Sequence, residues 1–223
     1  MIKKRRQFGF SLLELMIVVS IGLVLMAMVT PLVTTALNMY RLRGAGGEYA
    51  NLLQTARIRA VTADRYYPVY APPGLPGAAG ANTFNAFVDL NGTASYAMLP
   101  LGDPAVSFNA AIVIQPQGNA PNTVNLYTQF LPGIAVGAVQ INPNPWGGPA
   151  FGPRGLPCYA AAPPGGTCTY TFPTAGGAQV PVAFETFMQN TRTGMWEAVT
   201  VNPSGRVIEW HYNVGTGTWQ ALN

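Results

Sequence analysis

One carboxylate stands alone in a long apolar run. Between Arg6 and Arg41 the only charged side chain is Glu14, and the residues from Phe10 to Val33 are otherwise those of a membrane-spanning helix. A charge at the centre of a bilayer costs roughly 2.5–3.5 kcal/mol on insertion scales, so a carboxylate kept in such a run calls for a neutralising partner. Four cations, Lys3-Lys4-Arg5-Arg6, precede the run, followed by Gly9-Phe10-Ser11-Leu12-Leu13-Glu14. The other reactive side chains are few. Cys158 and Cys168 are the only cysteines and His211 is the only histidine.

That inventory fits an enzyme poorly. One histidine, scattered acids and no lysine after Lys4 do not assemble a catalytic triad or a metal site. Between Trp210 and Tyr212, His211 reads as a packed or exposed structural residue. The Gly152–Gly155 stretch lacks the Gly-Lys-Ser/Thr ending of a phosphate loop. Asp89-Leu90-Asn91-Gly92 offers two calcium-type ligands, which is turn chemistry more than a cation site. No metal and no cofactor is expected.

The formal charge of +4 is a property of the first residues. Four of the twelve cations lie at positions 3–6 and all eight acids lie beyond them, so the remainder is close to neutral and gives no general sign of nucleic-acid binding. Cations flanking an apolar span keep that end cytoplasmic, which places the rest of the chain across the inner membrane, in the periplasm. Two cysteines in an oxidising compartment are expected to pair. Closing the short Cys158–Cys168 loop would contribute about 2–3 kcal/mol.

The elements that must carry these residues divide into one helix and a β domain. Residues 10–33 are long enough, at 1.5 Å per residue, to cross ~30 Å of hydrocarbon. Pro31 removes a backbone donor near the far end and is expected to kink the helix. Leu42, Tyr49, Leu52, Leu53, Ala56, Ala60 and Ala63 continue a helical stripe, with Arg41, Arg43, Glu48, Arg57 and Arg59 mostly on other faces. Gly44, Gly46 and Gly47 weaken its middle and permit a bend, and Arg57, Arg59 and Arg65 read as a solvated face offset by Asp64 and Glu48. Low charge (9%) with 25 Gly and 20 Pro then points to strands and turns. Strands are expected at 67–70, 84–90, 93–99, 106–114, 123–130, 169–172, 180–189, 196–202 and 207–212. Asn91-Gly92 and Pro203-Ser204-Gly205 supply hairpin turns, and loops are expected at 71–81, 142–155 and 160–166.

A basic leader, a small residue before Phe10 and an acid four residues beyond it resemble the class III signal of type IV pilins and type II secretion pseudopilins. Further along, Ala56-Arg57-Ile58-Arg59-Ala60-Val61 leads to Pro68-Val69. Phe87-Val88-Asp89-Leu90-Asn91-Gly92, Phe151-Gly152-Pro153-Arg154-Gly155 and Val199-Thr200-Val201-Asn202-Pro203-Ser204-Gly205-Arg206-Val207 follow in that order. Together these look like the landmarks of the FimT/GspH family of minor pilins and H-type minor pseudopilins.

The resemblance implies an α+β pilin-like fold. Its parts are a leader at 1–9, a pilin helix at 10–63 and a β-rich extracytoplasmic domain at 64–223. In an ordinary signal peptide the cut follows the apolar region; here it would precede it, leaving the helix on the mature protein. Hydropathy alone equally fits an anchor that is never cleaved, and the Gly9-Phe10…Glu14 spacing favours processing. A prepilin peptidase would cut between Gly9 and Phe10 and N-methylate Phe10. Glu14 would then meet the Phe10 amine of a neighbouring subunit, neutralising both charges and setting register. Implied partners are other pilin subunits, the peptidase and the inner-membrane assembly machinery. The implied role is priming or capping a type IV pilus. The alternative is the tip of a type II secretion pseudopilus. Some pilins of this family engage DNA through arginines near the C-terminal hairpin, for which Arg192 and Arg206 are the candidates here, opposed by Glu197 and Glu209.

Overall fold

The computed structural model describes residues 11–71, 85–90, 102–144, 147–160 and 167–222. It begins with α1 (Leu12–Ala63), followed by β1 (Tyr67–Tyr70), β2 (Ala86–Val88), β3 (Ala105–Val106) and β4 (Ile112–Gln115). A single 3-10 turn (Gln117–Asn119) leads to α2 (Thr123–Phe130) and then to β5 (Gln140–Ile141), β6 (Ala150–Phe151) and β7 (Pro157–Ala160). The remainder is β8 (Cys168–Thr169), β9 (Thr171–Pro173), β10 (Gln179–Asn190), β11 (Trp196–Val201), β12 (Val207–Asn213) and β13 (Thr218–Ala221). A long N-terminal apolar helix followed by antiparallel sheets is the expected α+β class, consistent with a pilin-like fold.

The chain divides into two compact units, Met1–Met39 and Tyr40–Asn223. In the first, every described residue from Leu12 is helical, and the large apolar side chains from Leu12 to Val33 are all exposed. The helix runs without a break through Pro31. The hydroxyls of Thr34 and Thr35 both donate to the Pro31 carbonyl at 2.9 Å.

In the second unit the helix becomes one-sided. It buries Leu42, Ala45, Gly46, Tyr49, Ala50, Leu52, Leu53, Ala56 and Ala60, the i, i+3, i+4, i+7 spacing of a helical face. Ala63, expected on that stripe, is exposed at the helix end. The stripe shares one core with Val69, Val88, Ile112, Ile114, Phe151, Val182, Phe184, Met188, Val199 and Val201. Strand alternation sends the opposite residues of the same strands to a second core. There Ala183, Phe187, Ala198, Trp210 and Trp219 pack on Leu126, Tyr127 and Phe130 of α2.

Two sheets carry these faces. One has the order β3-β2-β1-β6-β7-β8 and the other β13-β12-β11-β10-β4, with short β5 and β9 also paired to β10. All pairs are antiparallel except β5–β10.

Residues 123–130 are a helix and not the expected strand. Leu126, Tyr127 and Phe130 are the buried positions, and Val124, which strand alternation would place with them, is 66% exposed. Here helical periodicity with tertiary burial outweighs the β-branched start. The turn before it is tied to the C-terminal hairpin, Asn122 Nδ2 donating to the Gly217 carbonyl at 2.7 Å and Trp219 Nε1 to the Pro121 carbonyl at 2.9 Å.

The expected strand at 106–114 is interrupted, because Asn109 Oδ1 accepts from the Ala111 N–H at 3.0 Å and turns the chain between β3 and β4. The expected strand at 169–172 is split into β8 and β9, and the expected loop at 142–155 contains β6. Strands β5, β7 and β13 are additional to those the sequence predicts. The 93–99 strand, the Asn91-Gly92 turn and most of the 71–81 and 160–166 loops lie outside the described residues.

The seam between helix and sheet carries a buried polar pair, the Tyr49 hydroxyl and Thr186 Oγ1 at 3.1 Å. Burial pushes the Tyr49 phenol well above its ordinary range. Tyr49→Phe would strand the Thr186 hydroxyl in the core and is expected to cost about 1–2 kcal/mol in urea unfolding, while Tyr49→Phe with Thr186→Val recovers most of it.

Candidate functional site

Glu14 lies in the first turn of α1 and its side chain is exposed, with Leu12, Leu13, Leu15, Met16 and Ile17 exposed around it. Gly9 and Phe10 lie outside the described residues. Among the described residues α1 is the one helix long and apolar enough to cross a membrane. Nothing within this helix supplies Glu14 with a cation, since the first arginine after it is Arg41.

At the helix–sheet seam the sheet presents an acidic group where the sequence pattern calls for an aliphatic one. Glu197, Val199 and Val201 share the face of β11 that meets α1, and Glu197 is 1% exposed. Neither carboxyl oxygen has a hydrogen-bond partner. His211 stands directly opposite on β12, and Glu209 lies two residues before it on the same face. The helix passes over this group with Gly46: a Cβ added there would lie 2.9 Å from Glu197 Oε2. Burial raises the Glu197 carboxyl to about 8; the positive charge of Arg43 opposes that shift and the negative charge of Glu209 adds to it. Burial likewise raises Glu209, while burial and the Arg43 charge lower His211.

The glycines at 44–47 were expected to loosen the helix. Instead the helix is continuous there, and Gly46 makes room for the carboxyl group. Nor does Glu197 offset Arg192, as the sequence suggests; it faces α1.

The motifs at 56–61, 151–155 and 199–207 converge at the other end of the seam. Gly155 (φ +69°) and Gly205 (φ +80°) both close on Arg57: added Cβ atoms would lie 3.3 Å and 3.4 Å from its guanidinium, and the one on Gly205 only 2.5 Å from the Gly155 carbonyl oxygen. Both turns require left-handed backbone and close approach at once. Arg57 is therefore half-buried against two turns, whereas Arg59 and Arg65 are exposed. Asn202 Oδ1 fixes the second turn, accepting from the Ser204 and Arg206 N–H groups at 3.1 and 2.9 Å. Tyr67 of β1 pairs with Phe151, and Val69 and Tyr70 pair with Val88 and Phe87.

Arg192 and Arg206 are not brought together. They occupy the turns at opposite ends of β11. Cys158 and Cys168 are bonded, with Cα atoms 5.5 Å apart, and join β7 to β8. Among the described residues no group of three or more His, Cys, Asp or Glu could hold a metal ion.

Residues 4–30 match the family model described as the prokaryotic N-terminal methylation motif. The N-terminal segment carries a motif of the type IV pilin-like kind. This motif implies processing by a prepilin peptidase and assembly with other pilins. The apolar helix behind the motif fits a membrane-anchored pilin. No curated protein and no solved structure matches the chain.

The burial of Glu197 and of Glu185 does not follow from the sequence reading. A signal for the first was present. In Trp196-Glu197-Ala198-Val199-Thr200-Val201 the acid takes the parity of Val199 and Val201, and four small residues stand together at 44–47 of the facing helix.

Folded Glu197 keeps a proton that the unfolded chain releases above the ordinary carboxyl range. Its contribution is therefore whole at acid pH and is lost as pH rises through about 8. The urea midpoint should fall as pH rises from 7 through about 8, and Glu197→Gln should flatten most of that fall. Gly46→Ala should lower stability by about 1 kcal/mol net, because the new methyl forces the buried Glu197 carboxyl to shift, a cost partly offset by the better helix propensity of alanine.

Proposed function

We propose that this protein is a minor pilin of the FimT/GspH type that primes or caps a type IV pilus. Residues 1–9 are the leader, 10–63 the pilin helix and 64–223 the periplasmic domain. A prepilin peptidase cuts between Gly9 and Phe10 and methylates the new amine. The observation that carries this reading is Glu14, exposed and the only charged side chain between Arg6 and Arg41, in an apolar segment that matches the methylation motif. In the mature chain the Phe10 amine of a neighbouring subunit is the charge that Glu14 lacks, and pairing the two removes the cost of holding either in an apolar filament core. Pro31 gives the helix a site, without a backbone donor, at which to bend or stretch as it leaves the bilayer.

The H-type minor pseudopilin of type II secretion shares every one of these features. Deletion distinguishes the two, removing surface pili in the first case and protein secretion in the second. DNA binding by Arg192 and Arg206 as a pair has less support, because the two side chains sit at opposite ends of β11.

Glu14→Val provides the direct test. The variant should still be cut and should remain in the membrane, but its amount in sheared filaments, measured by immunoblot, should drop at least tenfold. Wild-type incorporation of Glu14→Val would defeat the assembly role.

A further inference from the structure

Glu185 is a second buried acid, and the assembly mechanism makes no use of it. It sits on the α2-facing side of β10 and is 2% exposed. Its backbone is fixed by Asn142, which donates to the Glu185 carbonyl and accepts from its N–H, both at 2.8 Å. Oε2 accepts a hydrogen bond from Gln117 Nε2 at 3.1 Å, and Oε1 has no partner. Leaving a buried acceptor unmade is costly, about 1–3 kcal/mol and more when it is charged. Burial raises this carboxyl to about 7.

The acid lines a cleft of about 320 Å³ whose walls include Val124, Tyr127, Val136 and Val139. Val124 and Val136 are 66% and 78% exposed, so the cleft is rimmed by aliphatic groups left uncovered by the described residues. The Tyr127 hydroxyl is committed to the Ala135 carbonyl at 2.8 Å and serves the acid no hydrogen bond. Gln117 is an exposed residue that lines this cleft and also a second one of about 250 Å³, and Glu185 lines both. Its amide therefore stands over the carboxylate, between the two clefts.

We propose that this cleft binds an alkylammonium group, with the stem along Val124, Val136 and Val139 and the ammonium on Glu185 Oε1. One bare oxygen beside one already engaged suits a compact point charge; a guanidinium fork is best matched by two free acceptors. An unbranched methylene stem covers aliphatic walls while its charge reaches the acid. The chain carries such groups only in Lys3 and Lys4, ahead of the Gly9-Phe10 junction. With cleavage at that junction, as proposed above, the amine comes from outside, as a small free amine or as a lysine of another protein.

The full chain in detergent micelles, with labelled valine methyl groups, tests this by NMR titration. n-Butylammonium should shift the Val124 and Val136 signals saturably, and n-butanol, its neutral isostere, should not. Glu185→Gln should weaken n-butylammonium at least tenfold. Gln117→Ala, an exposed change that frees Oε2, should tighten it, which guards against misfolding of the first variant. Equal shifts by the amine and the alcohol, or unchanged amine binding by Glu185→Gln in a folded protein, would overturn the assignment. Putrescine and Nα-acetyl-lysine amide separate the sources: preference for the first indicates a free amine, preference for the second a lysine side chain.

Discussion

A single continuous helix has to satisfy two surroundings, and the rest of the structure follows from that. From Leu12 to Val33 it is apolar on all sides and its large side chains are exposed, the composition expected of a helix that meets lipid or other helices all round. From Leu42 to Ala60 it is apolar on one face only, and that face is buried in a core shared with β1, β2, β4, β6, β10 and β11. Arg41 and Arg43 enter where the pattern changes. The sheet face that receives the helix has to be aliphatic for most of its length, and the opposite face is then free to build a second core around Trp210 and Trp219 with α2.

Within that seam Glu197 is the exception. Of the forces acting on it, burial outweighs the nearby guanidinium of Arg43, since the net shift is upward to about 8. A carboxyl held neutral costs far less to bury than an ion, which is how the helix can lie across it at Gly46. At the far end Arg57 performs a comparable task with the opposite charge, packing its guanidinium against two glycine turns that link the β6–β7 and β11–β12 connections to the helix. Short strands such as β6, two residues long, thereby gain a fixed position from side-chain contacts that their own pairing could not supply.

Strong periodicity made much of this legible. The one-sided helix stripe, the β10 to β12 meander and the Pro203-Ser204-Gly205 turn follow directly from spacing and turn chemistry. Residues 123–130 misled because Thr and Val at the start of a short segment suggest a strand, whereas the burial of Leu126, Tyr127 and Phe130 is decided by β13, nearly a hundred residues away. Strand β13 itself, with Thr-Gly-Thr before Trp219, offers little alternation to read. The roles of Gly46, Gly155 and Gly205 were hidden for a different reason: a glycine that makes room for a distant side chain looks, in sequence, like one that loosens the chain. Glu14 was legible because its isolation among apolar residues is a local fact.

The most direct test is the intact mass and N-terminal residue of the protein recovered from cells with and without a prepilin peptidase. A chain beginning at N-methylated Phe10, formed only when the peptidase is present, is the result expected of a processed pilin subunit. A chain that keeps Met1 and its basic leader in both strains would contradict it, leaving Glu14 without the amine on which assembly depends.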